Sequence, residues 1–209
     1  MAKKGIFITL EGTDGVGKTS HCLLLKIWLK KRRIKVLLTR EPGGGSVSEK
    51  IRKILLDPKT KIEDLTELFL YQAARVEHVE KIIQPALKKG TVVICDRFTD
   101  ATVAYQGFAR GIPLSTIQIL NQIATGGLVP DLTLWLDHPP KQALKKARAR
   151  NKKRDRLENQ GFHFQQKVRK GYLAQFRKNP RRVVRVPVQE SIQKTQAMIQ
   201  QIIFKRFFR

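Results

Sequence analysis

The stretch GIFITLEGTDGVGKTSHCLLLKIWLKKR, residues 5–32, decides the fold. Ile6, Phe7, Ile8 and Leu10 make a short β-rich apolar run. Leu24, Leu25, Trp28 and Leu29 recur at helical spacing. Between strand and helix, Gly12 to Thr19 fits G-x-x-x-x-G-K-[ST] without mismatch. Gly12, Gly15 and Gly17 let the backbone take turns closed to other residues, so that successive N–H groups face one concavity. The helix from about Lys18 adds the positive end of its dipole. Lys18 is a mobile cation for the β- and γ-phosphates of a nucleotide, and Thr19 offers a hydroxyl to Mg²⁺. The motif does not separate a kinase from a GTPase or an ATP-driven motor.

Working outward, the pattern alternates. Strand-like runs are read at 5–10, 34–39, 91–95, 131–136 and 182–187. Helix-like runs are read at 18–32, 46–56, 63–89, 114–125, 140–150, 161–178 and 190–206, with a kink or restart at Pro85. Short strands separated by helices predict an α/β fold, a parallel five-stranded sheet flanked by helices. The 209 residues are read as one domain, 1–209, with a charged lid at about 148–160. No apolar run approaches the ~18 residues of a membrane span. Two scattered cysteines, Cys22 and Cys95, read as buried small hydrophobes in a reducing, cytoplasmic protein.

Forty-two Lys and Arg against 17 Asp and Glu give a net charge of +25. Such a charge suggests an anionic partner. The basic clusters at 30–35, 145–156, 177–182 and 204–209 are dispersed, however, and no zinc-finger spacing or RNA-recognition signature accompanies them. A basic solvated surface is the reading preferred over a nucleic-acid interface.

In parallel α/β sheets ligands bind at the carboxyl ends of strands, so the residues just after each strand matter most. After the second comes TREPGGG, where Arg40 offers a fork to a phosphate. After the third comes CDRFTDATVAYQG. Asp96 stands where a carboxylate reaches Mg²⁺ through water, and Arg97 where a guanidinium clamps phosphates at the point of transfer. Tyr71 and Arg75, four apart in LFLYQAAR, share one helix face. They suit a stacked base with a carbonyl, although such a stripe is more often core. RARNKKRDRLE, residues 148–158, is too charged for a packed helix. It reads as a lid over the nucleotide, a solvated loop or a nucleic-acid contact.

Together, EGTDGVGKT, TREPGG, LFLYQAARVEHVE, CDRFTDATVAYQG, PDLTLWLD and RDRLE, in this order, resemble the thymidylate kinases. The resemblance implies a nucleoside monophosphate kinase fold, a homodimer, and the reaction ATP + dTMP → ADP + dTDP with Mg²⁺, supplying dTTP. It implies that Gly12, Thr13, Asp14, Gly15, Val16, Gly17, Lys18, Thr19 and Ser20 hold the donor phosphates. Thr19 would ligate Mg²⁺, with Asp96 acting through water and Asp14 a further metal candidate near the acceptor. Arg40 would bind the acceptor phosphate, Arg75 the thymine carbonyl and Tyr71 the ring, in a position where the family usually has Phe. Tyr105 would crowd the sugar 2′ position, and Thr102 and Gln106 would lie near base and sugar. Lys18, Arg97 and Asp14 would act in catalysis. Gly15 in the loop, with Arg150, Arg154 and Arg156 in the lid, is similar to the type whose lid supplies the catalytic arginine, and Glu158 follows them. The alternatives kept open are a kinase of another nucleoside monophosphate and a nucleotide-dependent nucleic-acid-binding protein.

Overall fold

The computed structural model describes residues 5–148, 155–157 and 159–208. Strands β1 (Ile6–Glu11), β2 (Val36–Arg40), β3 (Val92–Asp96), β4 (Leu132–Asp137) and β5 (Val183–Pro187) form one sheet. Their order is β2-β3-β1-β4-β5 and every pairing is parallel. This is the expected five-stranded α/β sheet. The connections from β1 and β3 leave in opposite directions, which opens a crevice at the carboxyl ends of these two neighbours.

Both sheet faces are covered, which explains the apolar runs. On one face Ile8 and Leu10 pack with Leu25 and Leu29 of α1 (Lys18–Lys31) and Ile199 and Ile203 of the C-terminal helix Ile192–Phe207. On the other, Phe7, Val93 and Cys95 meet Val79, Ile83 and Phe98. Cys22 and Cys95 are buried free thiols, and burial pushes both well above the ordinary thiol range. Among the described residues no helix is long and apolar enough to cross a membrane.

The helices follow the expected order, α2 spanning Ser46–Leu56 and α3 Asp64–His78. The long run expected over 63–89 is broken by a π-helical turn at Val79–Ile83 before the short α4 (Gln84–Lys88). Pro85 has no N–H to return to the preceding turn, and the ladder widens before it. The chain directly after β3, which no periodicity marked before the expected helix at 114–125, is helical. It forms α5 (Thr99–Thr102) and a π-helical stretch Val103–Ala109, then α6 (Leu114–Thr125). After β4 come α7 (Pro140–Arg148), α8 (Phe162–Lys178) and, beyond β5, α9 (Ile192–Phe207). Helix α8 lies tightly against the stretch after β3: a Cβ on Gly171 would stand 2.6 Å from Ala104 Cα. Glycine at 171 therefore sets the close approach that carries α8 over the crevice.

Candidate active site

Gly12, Gly15 and Gly17 all have positive φ, at 141°, 82° and 92°. A Cβ on Gly12 would fall 2.5 Å from Leu136 O, so the loop can turn beside β4 only with glycine there. Helix α1 begins at Lys18, directly behind the loop. Lys18 Nζ donates to Gly12 O (3.1 Å) and Thr13 O (2.9 Å). Burial first, then the neighbouring Arg97 charge, push its pKa down to about 8. At the neighbouring strand end Thr19 Oγ1 donates to Asp96 Oδ2 at 2.6 Å.

Arg97 follows Asp96 with φ 75°, in the left-handed region that side chains disfavour. Its N–H is held by Leu10 O at 3.0 Å and the next N–H, of Phe98, by Glu11 Oε1 at 2.7 Å. The guanidinium is pinned on four sides. Nη1 donates to Gly12 O (2.9 Å) and Tyr172 OH (3.1 Å), and Nη2 to Tyr105 OH (2.9 Å) and Asp14 Oδ1. Asp14 Oδ2 also accepts from Gln165 Nε2 (3.0 Å) and Tyr105 OH (3.2 Å). Burial alone would raise the Asp14 carboxyl, but Arg97, then Lys18, hold it below the usual range. Behind this cluster burial, then the Asp100 charge, lift Glu11 to about 8, with Tyr172 OH 2.8 Å from its Oε2. A locally strained turn held by so many bonds marks a position whose geometry matters.

The opposite wall comes from α3 and the loop after β2. Arg75 is only 2 % exposed. It donates from Nε to Glu41 Oε2 (2.8 Å), from Nη1 to Gln72 Oε1 (3.0 Å) and Asn121 Oδ1 (2.8 Å), and from Nη2 to Phe98 O (3.2 Å). Four of its five N–H groups are thus used. Glu41 also pairs with His78 Nδ1 at 3.1 Å, and Thr39 Oγ1 lies 2.7 Å from His78 Nε2. Burial works against the Glu41 charge, yet Arg75, then His78, keep its carboxyl below the usual range. Arg40 is exposed and bound to both oxygens of Glu49.

One cavity joins the two walls. Asp14, Gly15, Gly17, Lys18, Thr19, Ser20 and Asp96 line one side. Arg40, Tyr71, Arg75, Arg97, Thr102, Tyr105 and Gln106 line the rest. Gly12, Thr13 and Val16 stand behind the loop surface rather than on the cavity wall. The loop therefore opens onto a second compartment with an aromatic face and a buried guanidinium, as phosphoryl transfer between two bound nucleotides requires.

The family model described as thymidylate kinase matches residues 10–199. The chain belongs to the thymidylate kinase family. It is 47% identical over 203 residues to a thymidylate kinase of a Synechococcus species, covering 96% of this chain and 95% of that one. It is 44% identical over 196 residues to one of Caldanaerobacter subterraneus, covering 94% and 93%. A crystal structure of the thymidylate kinase from Ehrlichia chaffeensis superimposes with a TM-score of 0.78 at 34% identity, covering 95% of this chain and 97% of that one. The fold is that of a P-loop nucleoside monophosphate kinase, and the protein is an enzyme.

Within this thymidylate kinase fold two expected residues are placed differently. Arg156, expected over the donor phosphates, is 9 % exposed and does not line the cavity. Its Nε donates to Leu55 O (2.9 Å), and Nη2 stands 2.5 Å from Glu67 Oε2 as an ion pair. Arg154, like Arg150 and Glu158, lies outside the described residues. Asp14, a metal candidate, is turned to Arg97 instead. Sequence reasoning missed Glu11, Glu41, Glu67, Gln165 and Tyr172. Glu41 carried a signal, lying inside TREPGG, but Arg40 beside it drew the phosphate role. Gln165 and Tyr172 carried none, since nothing local ties α8 to a loop 151 residues away.

Proposed function

We propose that the enzyme transfers the γ-phosphoryl group of ATP to the 5′-phosphate of dTMP, giving ADP and dTDP for dTTP synthesis. The observation that carries this reading is the shared cavity in which Lys18 and the loop residues Asp14, Gly15 and Gly17 face the Tyr71–Arg75–Tyr105 compartment. The loop amides, α1 and Lys18 would hold the donor phosphates, and Arg97 would lie between donor and acceptor. Arg40 would leave Glu49 for the acceptor phosphate, a modest cost for an exposed pair. Tyr71 and Arg75 would take the base, with Thr102 and Gln106 beside it and Tyr105 against the sugar. The acceptor is already an oxyanion, so alignment and positive charge carry the step without a general base.

The site suits Mg²⁺ but does not cage it. Thr19 Oγ1 and Asp96 Oδ2 supply one hydroxyl and one carboxylate, while among the described residues no group of three or more acidic, His or Cys side chains could hold a metal. That donor set fits an ion that keeps waters and shares phosphate oxygens. When bound, Mg²⁺ would neutralise charge on the transferring group.

The reading is tested by following ADP release with dTMP, dUMP, TMP, dCMP, dGMP, AMP and thymidine. Fast release with dTMP, or dTMP then dUMP, supports it, and preference for another acceptor overturns it. ATP affinity carries a pH signature. Bound phosphate favours charged Lys18, whose pKa stands at about 8, so binding takes up a proton above that pH. The ATP dissociation constant, read by calorimetry, should rise about tenfold per pH unit above 8 and lose that slope in Lys18→Met. A flat profile to pH 9 excludes the role.

A homodimer is part of the same proposal. Val47 and Ile54 of α2, Leu65 and Phe69 of α3 and Ile119 and Ile123 of α6 are large apolar side chains 45 % or more exposed, on helices that pack side by side. Sedimentation should give twice the 24.0 kDa chain mass, and Phe69→Glu should give the monomer. A cytoplasmic location fits two buried free cysteines and nucleotide substrates.

A further inference from the structure

Glu67, Tyr71 and Arg75 are spaced four apart on α3, but Glu67 does not line the cavity. Its side chain is 0 % exposed and takes four hydrogen-bonding or ionic contacts. Oε1 accepts from Gln106 Nε2 at 2.7 Å and from Arg110 Nε at 3.4 Å. Oε2 accepts from Arg110 Nη2 at 3.0 Å and faces Arg156 Nη2 at 2.5 Å. Arg110 is also paired with Asp64 at 3.1 Å.

The bond to Gln106 has a direction that chemistry dictates. A carboxylate flanked by two guanidinium groups only accepts, so the Gln106 amide must turn its nitrogen to Glu67. Its Oε1 has no hydrogen-bond partner among the described residues, and Gln106 lines the cavity. The side chain therefore has an acceptor to offer. Arg75, also on the cavity wall, retains one Nη2 N–H without a partner among the described residues.

We propose that Glu67 is a positioning residue for base choice: by holding the Gln106 amide in one orientation it makes the acceptor pocket read an imide edge and reject an amidine edge. An acceptor and a donor on the wall of one cavity match the ring N–H and adjoining carbonyl of thymine or uracil. Cytosine presents a bare ring nitrogen and an amino group at the same places and is mismatched at both. A site built to hydrogen-bond one edge discriminates strongly, because the wrong edge leaves buried groups unpaired. This inference rests on the acceptor being dTMP.

The test compares kcat/KM for dTMP and dCMP in four full-length proteins: the parent, Arg110→Gln, Glu67→Gln and Glu67→Gln/Arg110→Gln. An uncharged amide at 67 can present either end, so Gln106 can turn over. Arg110→Gln breaks the same ion-pair cluster without touching Gln106. The double variant keeps the cluster's charge balanced should Glu67→Gln alone fail to fold. The dTMP-to-dCMP ratio should fall by about tenfold or more in both proteins carrying Glu67→Gln, mainly through a higher KM for dTMP. It should stay within about threefold of the parent in Arg110→Gln, even if that variant unfolds at lower temperature. Equal ratios in Arg110→Gln and the double variant overturn the role of Glu67 while the dTMP reading stands. A parent that does not use dTMP overturns that reading, and this inference with it.

Discussion

Replacing Arg97 with alanine should lower kcat by about 10³-fold while changing KM for dTMP much less. The guanidinium is fixed by Gly12 O, Tyr172 OH, Tyr105 OH and Asp14, and its residue carries a φ of 75°. On the proposed reading the positive charge would lie beside the transferring phosphoryl group, between Lys18 and the acceptor wall. Removing it also leaves Asp14 with Lys18 as its remaining nearby positive charge, which adds to the loss. Lysine at 97 should restore little, because a point charge cannot make the forked contacts to Asp14 and Tyr105. Single-turnover and steady-state kinetics with dTMP varied would separate the two constants. An alanine variant within threefold of the parent removes Arg97 from its role.

Arg75→Met should cost on the order of 3–5 kcal/mol of folding stability, besides raising KM for dTMP. Arg75 and Glu41 are 2 % and 4 % exposed, and the variant would leave the Glu41 carboxylate buried with only His78 beside it. Arg75→Met/Glu41→Gln should regain most of the stability, since removing both charges of a buried pair is often close to neutral. It should not regain acceptor affinity, because the N–H proposed to face the base is gone. Denaturant unfolding of the three proteins decides the first point, and dTMP kinetics the second. If the double variant is no more stable than Arg75→Met, the buried pair is not what Arg75 contributes to the fold. The linked acid response has a definite sign. Glu41 titrates below its ordinary range, so its contribution is present above about pH 4.5 and is lost as pH falls through the folded value.

Several residues of the cavity were readable from short stretches. Gly15 and Gly17 before Lys18, the carboxylate–arginine pair closing β3, and Tyr71 and Arg75 one turn apart all line the same space. Each lies within a few residues of a strand end or on one helix face, where spacing fixes direction. The helical stretch Thr99–Ala109 was not readable, since it has no 3.6-residue period of its own and is held against α8 through the contact at Gly171. Arg156 was read as a lid cation because its neighbours are so charged. Burial beside Glu67 and Leu55 O gives it a structural partner that charge counting could not reveal.

By itself the sequence determined a parallel α/β sheet, a phosphate-binding loop between its first strand and helix, and the points along the chain where ligand-facing residues leave the strands. Those are consequences of local periodicity and of glycine's freedom, and both act over a handful of neighbouring residues. Only the tertiary structure decided what each charged group faces: Glu41 for Arg75, Asp14 and Tyr172 for Arg97, Glu67 for Gln106 and Arg156. The partners come from elements far apart in the chain. What joins them is the strand order and the closeness of helix packing, and a buried charge takes the counter-charge that the packed fold brings within reach.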